Sequence, residues 1–206
     1  VNHDEDTARL GVLLCVSGTG ILNSWLKKNV AENNSYVEMN NLGASVDIGS
    51  DGLVIMPFGN GAERMLGNVN MGSNVLNINF NIHTLSHVLR AAQEGIVFSL
   101  KYGVEVMEGI GIKPSIIKAG NANMFLSPIF RDTLSGVTES VIELYDTDGA
   151  QGAAIGGGFG AGIYKSLDEA LVNLKKLKVI EPDFLKTDQY QSAYTHWKTH
   201  LETMIK

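Results

Sequence analysis

Two strand–turn–helix units in the second half of the chain constrain its fold more than any other feature. Ile117-Lys118-Ala119-Gly120-Asn121-Ala122-Asn123-Met124 runs from an apolar strand pattern into a glycine turn. Val141–Tyr145 does the same, entering Asp146-Thr147-Asp148-Gly149-Ala150-Gln151-Gly152-Ala153-Ala154. Strands alternating with helices favour an α/β fold with parallel pairing in this half. In such a sheet both glycine turns lie at the carboxyl ends of neighbouring strands, where open α/β folds bind ligands. Bare backbone N–H groups and helix N-termini facing one crevice suit phosphates and nucleotides.

The rest of the chain supplies elements to cover such a sheet. Leu10–Val16 reads as a buried strand, with Cys15 as a small apolar residue within it. Ser17-Gly18-Thr19-Gly20 turns it into a helix bearing Ile21, Leu22, Trp25 and Leu26. Asn29–Ser50 is polar and predicts loop with one short helix. Leu53–Phe58 predicts a second strand stopped by Pro57 and Gly59, and residues 59–81 a loop or irregular hairpin. The strongest helix spans Leu85 to Met107, with apolar residues at three- and four-residue steps. Gly95 and Gly103 inside it each cost about 1 kcal/mol relative to alanine, which predicts a closely packed neighbour at both. Ser115–Ala119 predicts a strand, Ser127-Pro128 opens a helix as N-cap and first-turn proline, and residues 149–164 form a small-residue helix weakened by Gly156, Gly157 and Gly158. Ser166-Leu167-Asp168-Glu169 is a capping box. An amphipathic helix carrying Tyr190, Tyr194, Trp197 and Leu201 follows Pro182.

Composition excludes several classes. A net charge of -6 without a basic stripe argues against a nucleic-acid or anionic-membrane surface. One cysteine excludes an internal disulfide framework and a cysteine-based zinc site, and makes a reducing, cytoplasmic setting the default. No apolar run approaches the roughly 20 residues of a membrane span. The chain opens on Val1, not methionine, and reads as a piece of something longer, folded as one domain.

Motifs for covalent chemistry are weak. Ser17 lacks the G-x-S-x-G elbow and a His/Asp arrangement. Asp146 and Asp148 shape a turn and cap a helix more readily than they bind metal. His83/His87 and His196/His200 have the four-residue spacing of a two-point metal grip, but no third ligand stands out for either pair. Glu63 and Arg64 read as an ion pair or as contacts to substrate or another domain. These readings leave no catalytic residue and no metal ligand assigned.

The order of short motifs resembles the FGGY family of carbohydrate kinases. Gly20-Ile21 with Trp25-Leu26 resembles its G-x-I-x-W-L helix, and Met56-Pro57-Phe58 with Gly61-Ala62-Glu63-Arg64 its L-P-Y…G-E-R segment. Arg90-Ala91-Ala92-Gln93-Glu94-Gly95 is similar to its R-A-x-x-E-G helix. Gly111-Ile112-Lys113-Pro114, the Ala119–Ala122 turn and Gly149–Ala154 follow in the family's order. Xylulokinase-like members look most similar. The resemblance implies an actin-like, ribonuclease-H-like domain, a mixed sheet flanked by helices, forming the C-terminal ATP-binding half of a two-domain sugar kinase. It implies ATP and Mg as cofactors, a pentulose substrate and an N-terminal sugar-binding domain as partner. It also implies nucleotide contacts at Gly120, Asn121, Ala122, Met124, Gly149 and Gly152. The family turn is G-G-G-A or G-G-A, where this chain has Ala119-Gly120-Asn121-Ala122; that departure motivates an alternative, a non-catalytic nucleotide-binding or interaction domain of the same fold. Apolar surface left by an absent first domain predicts self-association into a homodimer.

Overall fold

The computed structural model describes residues 11–205. Its elements are α1 (Thr19–Asn29), α2 (Tyr36–Ala44), β1 (Val54–Phe58), β2 (Gly72–Leu76), α3 (Leu85–Glu108), β3 (Ile116–Gly120), α4 (Pro128–Thr138), β4 (Val141–Tyr145), α5 (Gly149–Gly160), α6 (Leu167–Leu171), β5 (Lys176–Ile180) and α7 (Thr187–Met204). β1 and β2 form an antiparallel hairpin. The second sheet has the order β3-β4-β5, with β3 parallel and β5 antiparallel to β4. Parallel pairing in the second half is therefore present, within a mixed α/β architecture.

Helix α3 is the centre. Residues 89 to 99 are buried on every side, and β1, α2 and α4 all pack against them. The two glycines explain how neighbours come so close. A Cβ on Gly95 would stand 2.1 Å from the Ile55 carbonyl oxygen, and one on Gly103 would stand 2.2 Å from Leu14 Cδ1. The indole N–H of Trp197 donates to the same Ile55 carbonyl at 3.0 Å, which ties α7 to β1 across α3. One cluster of buried side chains, including Met56, Phe58, Ile96, Phe130, Leu144 and Trp197, joins both sheets.

The family-like R-A-x-x-E-G segment is a structural device here. Arg90 and Glu94 form a buried ion pair at 2.7 Å. Arg90 also donates to the Val46 carbonyl at 3.1 Å, and the Gly49 N–H donates to both Glu94 oxygens at 3.1 Å. Burial pushes the Glu94 carboxyl up from its ordinary range, against the pull of Arg90. The pair thus pins the loop between α2 and β1 to the central helix.

Four sequence expectations require correction. Of the expected strand Leu10–Val16, Leu10 lies outside the described residues, and Gly11–Val16 joins no ladder among them. Its pattern is that of a strand, but among the described residues no neighbouring strand meets it, and Leu13 is 81% exposed. Cys15 is accordingly exposed rather than a buried apolar residue. Pro57 does not stop β1 but lies within it, facing Ser73. β1 pairs with one strand among the described residues, so a missing N–H is tolerated there. Glu63 is not paired with Arg64 by the described ion pairs; its buried carboxylate accepts the Ser17 N–H at 3.0 and 3.1 Å.

Exposed apolar side chains recur on the outer surface, among them Ile163, Val172, Phe184 and Leu185. Concentration-dependent self-association is the expected result in light scattering. A monomer mass held across the concentration range would refute it.

Candidate nucleotide-binding cleft

The parallel pairing of β3 and β4 decides where the two glycine turns fall. Their register sets Gly120 opposite Tyr145, so both strands end at the same level. The turns then lie against each other. A Cβ on Gly120 would stand 2.3 Å from the Thr147 carbonyl oxygen and 3.5 Å from the Asp148 Cα. Only glycine permits this approach.

Beside the turns is an open cleft of about 1020 Å³. Gly120, Ala122 and Met124 line one wall together with Thr147, Asp148 and Gly149. Leu14, Cys15 and Val16 line it from the segment before α1, and Thr19, Gly20 and Asn23 from α1. Tyr36 and Asn40 of α2 face the same space, and Leu100 and Phe130 contribute apolar surface. Four of the six sequence-predicted residues, Gly120, Ala122, Met124 and Gly149, are thus brought to one cleft. Asn121 and Gly152 are not among its lining residues.

Local geometry refines what each turn presents. The Asn121 N–H donates to the Tyr145 carbonyl at 2.9 Å, and the Ala122 N–H to the Gly120 carbonyl at 2.8 Å. The left-handed residue of this turn is Asn123, with φ 53°, not Asn121. In the second turn Asp148 is the N-cap of α5, its carboxylate accepting the Gln151 N–H at 2.9 Å. The capping role favoured for Asp148 is therefore observed. First-turn N–H groups of Gly149 and Ala150 have no partner within the helix. A Cβ on Gly149, Gly152, Gly156, Gly157 or Gly160 would meet nothing within 4 Å, and no residue of α5 is buried.

Sequence reasoning missed the α2 side of the cleft. The Ser127 hydroxyl, which accepts the Phe130 N–H as N-cap of α4, donates to Gln93 Oε1 at 2.5 Å. Gln93 Nε2 then donates to Asn40 Oδ1 at 3.0 Å. The cap fixes the direction of the whole relay, and its outer end is the Asn40 amide N–H₂ on the cleft wall. The link runs through a buried glutamine on a different helix, so no spacing in the sequence marks it.

The chain resembles known proteins along most of its length. It is 28% identical over 207 residues to a xylulose kinase of Haemophilus influenzae, a match covering 92% of this chain and 41% of that protein. It is 26% identical to a xylulose kinase of Bacillus subtilis, covering 100% of this chain and 42% of that protein. No protein-family model matches. Among solved structures, a xylulose kinase from Rhodospirillum rubrum superimposes with a TM-score of 0.74 at 23% identity, over 90% of this chain and 38% of that one. A ligand-bound xylulose kinase from Lactobacillus acidophilus gives 0.77 at 18% identity over the same shares. A Plasmodium falciparum glycerol kinase with ADP gives 0.73 at 21% identity, over 91% of this chain and 37% of that one. The chain spans about two fifths of the length of the curated relatives it matches. It is a relative of the xylulose kinases and has the actin-like α/β fold of the sugar kinases.

Proposed function

We propose that this chain is the C-terminal, ATP-binding domain of a cytoplasmic FGGY-type sugar kinase that phosphorylates a pentulose with the help of an N-terminal sugar-binding domain. The observation that carries the reading is the convergence of the Gly120 and Gly149 turns on one large cleft, in a chain related to xylulose kinases. The ADP-bound glycerol kinase of the same fold supports a nucleotide as the guest.

Phosphoryl transfer asks a protein for positioning and electrostatics more than for bond chemistry. The Gly149 and Ala150 N–H groups at the start of α5 would meet phosphate oxygens, and the bare glycine surface beyond them allows close approach. Met124, Leu100 and Phe130 offer apolar surface to a base, and Asn40 offers a hydrogen-bond donor. Mg²⁺ would supply charge neutralisation at the phosphates, held largely through them and water. Among the described residues no group of three or more His, Cys, Asp or Glu could hold a metal. Closure against the partner domain would exclude water, so that a sugar hydroxyl takes the phosphoryl group.

A second reading, a non-catalytic domain of the same fold, draws on Asp148. Its carboxylate already supplies negative charge at the α5 N-terminus, where phosphate would otherwise do so. Calorimetric titration with Mg-ATP separates the two. Weak saturable binding, with no pentulose phosphorylation by the chain alone, is the expected outcome. No heat at millimolar nucleotide would favour the second reading, and turnover by this polypeptide alone would contradict the first.

A further inference from the structure

The two histidine pairs share a spacing but not a fate. At the start of α3, where His83 precedes the helix and His87 lies in its first turn, both nitrogens of each ring are engaged. His83 Nδ1 accepts the Asn79 N–H at 2.9 Å and its Nε2 lies 3.3 Å from the Asp51 carbonyl oxygen. His87 Nδ1 accepts the Thr84 N–H at 3.1 Å and its Nε2 lies 3.1 Å from Asp51 Oδ2. That pair caps a helix and holds a turn. On α7, His196 and His200 instead aim both Nε2 atoms at one atom, Asn77 Nδ2, at 3.3 and 3.0 Å. The two rings meet edge to face with centroids 4.8 Å apart.

The Asn77 amide nitrogen can only donate, and its two N–H groups face three acceptors, the two Nε2 atoms and the Gly52 carbonyl oxygen at 3.4 Å, so a ring that receives one of them presents an unprotonated Nε2 lone pair. Those are the lone pairs that ligate metals. The spacing also fits. With metal–ligand bonds of about 2.0–2.1 Å, neighbouring donors stand ~3.4 Å apart in a tetrahedral shell and ~2.9 Å apart in an octahedral one. A half-turn of the Asn77 amide about its last bond exchanges Nδ2 for Oδ1. The amide oxygen then stands where the nitrogen was, 3.0 and 3.3 Å from the two ring nitrogens, which is the spacing of neighbouring donors in a metal shell.

We infer that His196, His200 and the side-chain oxygen of Asn77 form a binding site for one borderline transition-metal ion such as Zn²⁺, Ni²⁺ or Cu²⁺, with water completing the shell. Imidazole donors select these ions over Mg²⁺, and affinity should follow the order in which Cu²⁺ exceeds Ni²⁺ and Zn²⁺. Asn77 directly follows β2, so the ion would clamp the C-terminal helix to the hairpin. None of the three residues lines the nucleotide cleft, and the site does not depend on the kinase reading.

Titration of the tag-free full chain with Cu²⁺ and Ni²⁺ alone, followed by calorimetry and by copper EPR, tests the inference. One equivalent should bind with nitrogen coupling from two imidazoles, unaffected by millimolar Mg²⁺. The melting temperature should rise by about 3–6 °C when free Ni²⁺ exceeds its Kd tenfold. His200→Gln should weaken binding at least tenfold, whereas the double variant His83→Gln/His87→Gln should leave it unchanged. Asn77→Asp, which puts a carboxylate where the amide oxygen would turn, should tighten it at least tenfold. Absence of saturable binding, equal affinity in His200→Gln, or loss in the His83→Gln/His87→Gln double variant overturns the site. Should His200→Gln fail to fold, Asn77→Asp decides alone: unchanged affinity there overturns it too.

Discussion

Glu94→Ala is expected to destabilise the fold by about 3–5 kcal/mol, the range for breaking one partner out of a buried ion pair. The reason lies in what remains. The Arg90 guanidinium would stay buried with the Val46 carbonyl as its recorded partner, and the Gly49 N–H would lose the carboxylate it donates to. Typical domains are stable by about 5–15 kcal/mol, so this single change removes a large share. Urea denaturation should show a lower midpoint at unchanged slope, and the melting temperature should fall by roughly 6–20 °C. Replacing both partners with apolar residues, Arg90→Met with Glu94→Leu, should recover much of the loss, because no charge is then left stranded. A Glu94→Ala protein as stable as the parent would show that the pair does not hold the α2–β1 loop to α3.

Gly120→Ala is expected to cost about 1–3 kcal/mol and, on the proposed function, to weaken Mg-ATP binding at least tenfold. Its new Cβ would meet backbone, the Thr147 carbonyl oxygen at 2.3 Å and carbon at 3.1 Å, so no side chain can swing aside. The two turns must separate, and the wall they form together opens with them. Gly149→Ala gives the contrast. A Cβ there meets nothing within 4 Å, and alanine is the better helix former, so stability should hold or rise slightly. Thermal melts paired with nucleotide titration read both effects. Unchanged stability and binding in Gly120→Ala would break the link between the contact of the turns and the cleft.

What the sequence discloses depends on whether the physics is local. α3 was legible because its apolar period persists over many turns, and its two costly glycines announced close neighbours that prove to be Ile55 and Leu14. The parallel β3–β4 pair and the caps at Ser127 and Asp148 were legible for the same reason, since strand, turn and cap residues are adjacent in the chain. β5 was not foreseen. Lysines alternate with Leu177 and Val179 in a strand whose side chains are exposed except at Ile180, so the segment reads as surface. The state of Gly11–Val16 was misjudged because strand pairing is a property of the partner, which local pattern does not reveal. Glu63 and Asn40 were obscure for a related reason: each acts on a residue more than forty positions away.

Helix α5 has bearing on how firmly the cleft would hold a guest. Six of its twelve residues are glycine, and packing against the rest of the molecule is confined chiefly to α6. Helices so short and so lightly packed are marginal on propensity alone and belong to the most readily opening part of a structure. A millimolar Kd corresponds to about 4 kcal/mol. A ligand seated at the Gly149 end would have to spend part of its contact energy on stiffening that helix, so the affinity observed for this chain would fall below what the contacts alone suggest. Any neighbour that rigidified α5 beforehand would raise nucleotide affinity without touching the nucleotide.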